Sequence, residues 1–330
     1  PRVVNVDGID RWFIGDRDFG TLGGNVIAKD RNKLLSRLSY RTYDEVHPGS
    51  YRVKERLEEM DKTGIWAQIC FQNGGLTQAG SLLALGDIDL AIYVIQRFND
   101  ACAERLEESN GRIACMATLP YWDKDLMVAE VKRVLDMGVK GFTLPDRPER
   151  LNQGYLAENH QCSPFWEEVF DICNSTGTPI NFHINASLDA GSAIWDNVEF
   201  SQRLPINAMI HTIGTSAQMA NFMVSGILDK YEDLKIGMIE SGIGWVPFFL
   251  DRLERHVVNQ SWTHLDRLPA GKTPTEVWRE HFLACFITDP SALRLRDRIG
   301  IETIAWECDY PHSDCTWPHS PELLHAELEA

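Results

Sequence analysis

The sequence predicts a parallel α/β fold, and three observations support that prediction. From about Ile65 onward, seven short apolar runs alternate with helical stretches. Each run is nearly continuous, as in strands that are covered on both faces, which is typical of parallel sheets. The stretches between the runs repeat their apolar residues every 3.6 positions, and strict alternation of strand and helix implies a parallel sheet. An open doubly wound sheet and a closed (β/α)8 barrel both satisfy this pattern.

The predicted strands are short, and the predicted helices separate them. The strands are Ile65–Phe71, Ile113–Thr118, Val139–Thr143, Ile180–Ile184, Lys235–Ile239, Phe282–Ile287 and Thr303–Trp306. The helices are Arg52–Lys62, Leu90–Ser109, Asp125–Met137, Pro164–Ser175, Ala217–Lys230, Val246–Val258, Ser291–Arg298 and Pro321–Ala330. Asp289-Pro290 begins one of them with a capping residue and a proline, which are favoured at helix starts.

Composition and charge exclude several classes of protein. A formal net charge of −16 at pH 7 argues against a nucleic-acid partner, because the phosphate backbone attracts basic surfaces. The sequence has no apolar run of membrane-spanning length and no visible signal peptide, so no membrane partner is expected. Eight cysteines without a C-x-x-C pair are interpreted as reduced and structural, which favours the cytoplasm. Whether the chain forms a homo-oligomer stays open.

Polar residues follow three of the predicted strands at their carboxyl ends. His183 ends the fourth run, Glu240 follows the fifth, and Asp309 lies just beyond the last. Catalytic groups of a (β/α)8 barrel lie at this end of the strands. An imidazole and carboxylates that meet there form a site for a hard or borderline metal ion. We therefore expect His183, Glu240 and Asp309 to converge.

Each of these residues also has a simpler structural interpretation. A single histidine in a strand is usually packed or hydrogen-bonded without any function. Glu240 could cap the helix that begins near Trp245, where a carboxylate favours free N–H groups. Asp309 could be an ordinary turn residue before Tyr310-Pro311. Their joint position at three strand ends favours the functional interpretation.

Four further residues are candidates for substrate binding. Arg147 follows a predicted strand and could bind a carboxylate of the substrate. His211, His312 and Trp245 could line the mouth of the site, because they lie near predicted strand ends or before a helix. Solvated loop positions or core packing are the simpler interpretations of the same residues.

Longer motifs resemble a known family. Phe182-His183-Ile184, Glu240-Ser241-Gly242-Ile243-Gly244-Trp245 and Asp309-Tyr310-Pro311-His312 are similar to motifs of the amidohydrolase-related family, which includes aminocarboxymuconate-semialdehyde decarboxylase and the resorcylate-type decarboxylases. The similarity runs through most of the chain, from Arg56–Asp61 onward. The resemblance implies a (β/α)8 TIM barrel of the metal-dependent hydrolase type. Independently of the resemblance, no G-x-G-x-x-G fingerprint follows the first strand, which disfavours an open sheet with a nicotinamide or flavin.

The resemblance also implies one divalent metal ion, usually zinc and sometimes manganese. In the family its ligands are a pair on strand one, a histidine on strand five and an aspartate on strand eight. His183 and Asp309 match the last two, and the strand-one pair has no counterpart. We therefore expect a single barrel domain over 1–330, with residues 1–50 as an irregular N-terminal region and 51–330 as strands two to eight. This expectation describes a fragment that is incomplete at the N-terminus and in its last helix.

The expected function is that of a metal-dependent carboxy-lyase, a decarboxylase acting on a small aromatic or unsaturated carboxylic acid. One departure from the family matters, because its well-studied decarboxylases have a catalytic histidine at the end of strand six, where this chain has Glu240. A glutamate there could protonate a carbon or activate water. Two alternatives therefore stay open: a metal-dependent hydrolase of an amide, ester or lactone, and a non-catalytic barrel without metal.

Overall fold

The structure is a computed structural model, and its described residues form two compact units. It describes residues 1–21, 26–29, 42–72, 82–83, 85–145, 148, 153–158, 160–184, 199–260, 262, 268–269, 271–312 and 314–329. The first unit comprises Pro1–Pro120, Lys132–Lys140 and Cys308–Ala326, and the second comprises Tyr121–Val131, Gly141–Glu307 and Glu327–Ala330. The single barrel domain over 1–330 stays a prediction.

Two small sheets belong to the first unit. The strands β1 (Arg2–Val6), β2 (Ile9–Ile14) and β3 (Arg17–Thr21) form an antiparallel sheet in chain order. The interpretation of residues 1–50 as irregular is therefore wrong for these strands. They lack a buried apolar run, since most of their residues are exposed or half-buried, so the pattern that identifies covered strands misses them.

The second sheet of this unit is parallel and packs on a helix. It pairs β4 (Gln68–Cys70) with β5 (Ile113–Cys115), and both strands lie within predicted runs. Two helices of the unit are α1 (Val53–Lys62) and α2 (Ile88–Glu108), and α2 is capped by Asp87, whose carboxylate accepts the Leu90 N–H at 3.0 Å. Met60 of α1 packs with Val53 and Ile113 in the core between helix and sheet.

A five-stranded parallel sheet forms the framework of the second unit. Its strands are β6 (Phe142–Thr143), β7 (Ile180–His183), β8 (Ile236–Ile239), β9 (Phe282–Phe286) and β10 (Ile304–Trp306). Neighbours in the sheet are neighbours in the chain, and every pair is parallel. The carboxyl ends of all five strands therefore lie at one edge. All seven predicted strands are confirmed.

Helices connect these strands, as the alternating pattern predicts. The helix α3 (Lys124–Asp136) precedes β6. Between the strands lie α4 (Glu167–Thr176), α5 (Phe200–Val224), α6 (Ile227–Lys230), α7 (Trp245–Asn259), α8 (Pro274–His281), α9 (Pro290–Leu293) and α10 (Arg296–Ile299). The helix α11 (Ser320–Glu329) follows β10. Among the helices of the described residues, none is long and apolar enough to cross a membrane.

Several of these helices differ from the prediction, among them the predicted helix Ser291–Arg298, which is the two short helices α9 and α10. The predicted helix Ala217–Lys230 is two helices, because Gly226 between α5 and α6 takes a left-handed conformation with φ 80°. The first of them begins at Phe200 and contains Pro205, a residue that usually ends a helix. The helix α8 was not predicted, although Thr273 and Glu276 form a capping box at its start.

Candidate active site

His183 is the last residue of β7, at the carboxyl edge of the five-stranded sheet. The three residues before it are buried, and its own side chain is 25% exposed. Asn181 anchors the strand by donating to the Phe142 carbonyl at 3.1 Å. Gly237 faces Asn181 on β8, where an added Cβ would lie 2.5 Å from Asn181 Oδ1. This close approach of β7 and β8 fixes the position of His183.

Glu240 follows β8 directly and has a left-handed backbone, with φ 58°. For a residue with a long side chain this conformation costs about 1 kcal/mol or more. Its N–H donates to the sulfur of Cys285 at 3.1 Å. The turn that follows is closed by the indole N–H of Trp245, which donates to the carbonyls of Ser241 and Gly242 at 3.0 and 2.9 Å. Strain of this kind concentrates at functional positions.

Asp289 binds the turn that lies between Glu240 and the helix α7. Its Oδ2 accepts the N–H groups of Ile243 and Gly244 at 3.0 and 2.7 Å. Its Oδ1 accepts the N–H of Ala292 at 3.3 Å and so caps α9 as well. No side-chain hydrogen bond caps the start of α7, and the Glu240 carboxylate contacts another residue, so the structural interpretation of Glu240 as a helix cap is wrong.

The carboxylate of Glu240 meets the imidazole of His183. Glu240 Oε2 lies 3.0 Å from His183 Nε2, while His183 Nδ1 contacts the carbonyl of Ile184. Because a carbonyl can only accept, Nδ1 is the protonated nitrogen, and one further proton lies between Nε2 and Glu240. The two residues thus form a pair that holds a transferable proton.

The surroundings of His183 favour its protonated form. Burial by itself lowers the pKa of His183, but the hydrogen bond and negative charge of Glu240 raise it, helped by the Ile184 carbonyl and the charge of Glu307. The net effect places the pKa above its ordinary value of 6.5.

Cys285 and Glu307 complete this edge of the sheet, and sequence reasoning missed both. The Cys285 thiol donates to Glu307 Oε2 at 2.8 Å. Burial raises the pKa of Cys285 well above its usual range, so that it remains a thiol. Glu307 lies two positions before Asp309, a signal that could have identified it. Cys285 lies within an apolar run, where a cysteine is usually a small core residue.

In the first unit, Asp309 and His312 form a second pair of an acidic residue and a histidine. Asp309 also has a left-handed backbone, with φ 54°. Its Oδ2 lies 2.7 Å from His312 Nδ1, and its carbonyl accepts the His312 N–H at 2.8 Å. Asp309 is therefore a turn residue, as its simpler interpretation held, but one whose carboxylate faces a histidine.

The segment of Asp309 is anchored through Tyr310. The Tyr310 hydroxyl lies 2.7 Å from His47 Nδ1, and Arg56 donates to the Tyr310 carbonyl at 3.2 Å. The Arg56 guanidinium also lies over the Tyr310 ring, 4.3 Å from its centre. Sequence reasoning assigned no role to His47 or Arg56, because their contacts join residues more than 250 positions apart.

Some predicted site residues are not brought together by these observations. Arg147 lies outside the described residues, and of His211 only the backbone is described, within α5. The convergence of His183 and Glu240 with Asp309 stays a prediction. The same holds for a substrate-binding role of His312 and Trp245. Within the ranges that the structure describes, no group of three or more His, Cys, Asp or Glu residues could hold a metal ion.

Comparison with known proteins identifies the family. The family described as Amidohydrolase matches residues 47–330. This chain belongs to the amidohydrolase family. The sheet β1–β3 precedes the matched residues, whereas both pairs of acidic residue and histidine lie within them.

Individual relatives of this amidohydrolase are decarboxylases. Gamma-resorcylate decarboxylase from Rhizobium sp. (strain MTP-10005) is 26% identical over 282 residues, which cover 78% of this chain and 76% of the relative. The structure of 5-carboxyvanillate decarboxylase from Sphingomonas paucimobilis matches with a TM-score of 0.64 and 22% identity, over 90% of this chain and 80% of that one. Dihydroxybenzoic acid decarboxylase from Polaromonas sp. JS666, solved with manganese and the inhibitor 2-nitroresorcinol, matches with a TM-score of 0.58 and 22% identity, over 91% and 86%.

These matches confirm the predicted fold class, a (β/α)8 TIM barrel of the metal-dependent hydrolase type. The five parallel strands β6–β10, in chain order, agree with it.

The left-handed backbone of Glu240 predicts that glycine is more stabilising than alanine at this position, the reverse of their order inside a helix. Glu240→Gly should be more stable than Glu240→Ala by about 1 kcal/mol, because glycine adopts this conformation without strain. Urea denaturation of both variants measures the difference. The matched control is Glu254 in α7, where the alanine variant should be the more stable by about 1 kcal/mol. The same order at both positions would contradict the strain at Glu240.

The pairing with Glu240 predicts the titration of His183. In the metal-free amidohydrolase, NMR should place the pKa of His183 above 6.5, and Glu240→Gln should lower it, because the amide carries no negative charge. Since the folded pKa is raised, the pair stabilises the protein below the unfolded pKa, and this contribution is lost as the pH rises through the folded pKa. An unchanged pKa in Glu240→Gln would show that the contact does not form in solution.

Proposed function

We propose that this amidohydrolase is a metal-dependent carboxy-lyase that removes CO2 from a small aromatic carboxylic acid. The observation that carries the proposal is the His183–Glu240 pair, which holds a transferable proton at the carboxyl edge of a parallel sheet. Decarboxylation needs such a proton, because the carbon that loses CO2 must gain one. The relatives support the substrate class, since they act on resorcylate, carboxyvanillate and dihydroxybenzoate.

The donor chemistry of His183 fits a divalent metal ion. The Ile184 carbonyl keeps Nδ1 protonated, an arrangement usual for metal-bound histidines, and Nε2 would hold the ion in place of its contact with Glu240. The proton of the pair would then reside on Glu240. We propose that Asp309 is a metal ligand as well, through a carboxylate oxygen. When bound, the ion neutralises the carboxylate of the substrate and orients the bond to be broken. The manganese in the Polaromonas relative favours manganese, and zinc is the alternative.

Glu240 would deliver the proton. As the bond between the ring carbon and the carboxylate breaks, its electron pair remains on the ring carbon, and the proton of Glu240 passes to that carbon as CO2 leaves. Solvent then returns a proton to Glu240. The left-handed backbone of Glu240 holds this carboxyl group at a fixed place, and a non-catalytic barrel would gain nothing from that strain.

A hydrolase is the second candidate, and the same pair supports it. Glu240, within hydrogen-bond distance of His183, could act as general base for a water molecule that attacks an amide, ester or lactone. We also propose a reducing compartment such as the cytoplasm, since all eight cysteines are free.

Turnover in isotopically labelled water separates the two reactions. With an aromatic carboxylic acid in deuterium oxide, decarboxylation should release CO2 and place one deuterium on the ring carbon. Hydrolysis in water labelled with oxygen-18 would place the label in the product. Mass spectrometry of the product measures both. Oxygen label in the product, without CO2, would exclude the carboxy-lyase.

The role of Asp309 is tested by its neutral counterpart. Asp309→Asn should lower both metal content and turnover, because an amide binds a dication far less well than a carboxylate does. Elemental analysis of the purified enzyme measures the metal and also identifies it as manganese or zinc. Asp171→Asn, an exposed position on α4, is the control and should keep both values. Full metal content in Asp309→Asn would exclude Asp309 as a ligand.

A further inference from the structure

We propose that Cys285 is a positioning residue of the active site, whose thiol holds the backbone of Glu240 so that the Glu240 carboxylate points at His183. The inference deepens the proposed function, since it rests on Glu240 as the proton donor. Cys285 is buried and lies in an apolar run, so the sequence pattern alone identifies it only as a core residue.

The strand register places the sulfur where the backbone ladder ends. The ladder between β8 and β9 pairs Met238 with Ala284 and goes no further. Cys285 follows on β9, and its sulfur accepts the N–H of Glu240 at 3.1 Å, two residues beyond the last pair. A side chain thus takes the place of the carbonyl that would continue a regular ladder.

Two acceptors lie near the S–H of Cys285, and the nearer one orients the thiol: the Met238 carbonyl is 3.8 Å from the sulfur, and the Glu307 carboxylate is 2.8 Å from it. Cys285 is buried, and its S–H donates to Glu307 Oε2 at 2.8 Å. A carboxylate only accepts, so the proton of the thiol is directed to Glu307 and the lone pairs of the sulfur face the N–H of Glu240. One side chain of β9 therefore joins the residue after β8 to the residue after β10.

Removal of the sulfur would release the conformation that Glu240 holds. The left-handed backbone of Glu240 is costly for a residue with a long side chain, and it persists where surrounding contacts impose it. Without the hydrogen bond at its N–H, the Glu240 peptide can rotate toward an unstrained conformation. The carboxylate then leaves its position 3.0 Å from His183 Nε2.

The direct test is hydrogen exchange of the Glu240 amide, measured by NMR on the full chain. In Cys285→Ala this amide should exchange roughly three- to tenfold faster relative to the Ile180 amide, which bonds to the Lys235 carbonyl and is remote from the sulfur. Cys285→Val fills more of the lost volume and should show the same acceleration. Cys285→Ser keeps a donor and an acceptor and should restore slow exchange.

The control is another buried thiol of the same unit. Cys173 lies on α4 and is fully buried, so Cys173→Ala removes the same atom from the core. It should lower the melting temperature and leave the exchange of Glu240 relative to Ile180 unchanged. Equal acceleration in Cys173→Ala and Cys285→Ala would reduce the role of Cys285 to packing and overturn the proposal.

Kinetics separates this inference from the proposed function. In Cys285→Ala, kcat should fall about tenfold to a hundredfold with little change in KM, since a misplaced catalytic group slows the chemical step more than it weakens binding. Cys285→Ser should recover part of kcat. If the wild-type enzyme releases no CO2, the proposed reaction fails, while the exchange experiment still decides the role of Cys285. Unchanged exchange at Glu240 in Cys285→Ala would overturn that role whatever the reaction is.

Discussion

The register between β7 and β8 sets the geometry of the site in the second unit. The parallel ladder pairs His183 with Ile239, so the strand β8 ends level with the histidine and Glu240 comes next in the chain. A shift of one residue would turn His183 to the opposite face of the sheet. Gly237 and Asn181 resist such a shift, because the carboxamide occupies the space that only a glycine leaves open. The backbone register of β7 and β8 therefore places Glu240 beside His183.

Each polar side chain around these strand ends has its own hydrogen-bond partners. Asp289 accepts the N–H groups of Ile243 and Gly244 in the turn before α7, and the indole N–H of Trp245 donates to two carbonyls of the same turn. Because Asp289 and Trp245 already form hydrogen bonds with the N–H and carbonyl groups of this turn, the Glu240 carboxylate is available to contact His183. Backbone strain at Glu240 is then a local cost within a unit whose core includes the fully buried Trp278.

Much of this fold follows from local sequence pattern. The covered strands were predictable because burial on both faces leaves a nearly continuous apolar run, as in β8. The exposed strands β1–β3 give no such run. The start of α5 at Phe200 was not predicted, because the helix contains Pro205, a residue that usually ends a helix. Of the site, His183 and Glu240 were predictable from their place at strand ends. Cys285 was not, because its contacts with Glu240 and Glu307 depend on the register of three strands.

The double role of Asp289 has a consequence for how such enzymes diversify. One carboxylate holds the start of α7 after β8 and the start of α9 after β9. Barrel enzymes usually acquire new specificities by exchanging single loops while the strands are kept. In this chain the two loops share an anchor, so an insertion in one would displace the other. Evolution, or an engineer, would have to change them together or first replace Asp289 with two independent caps.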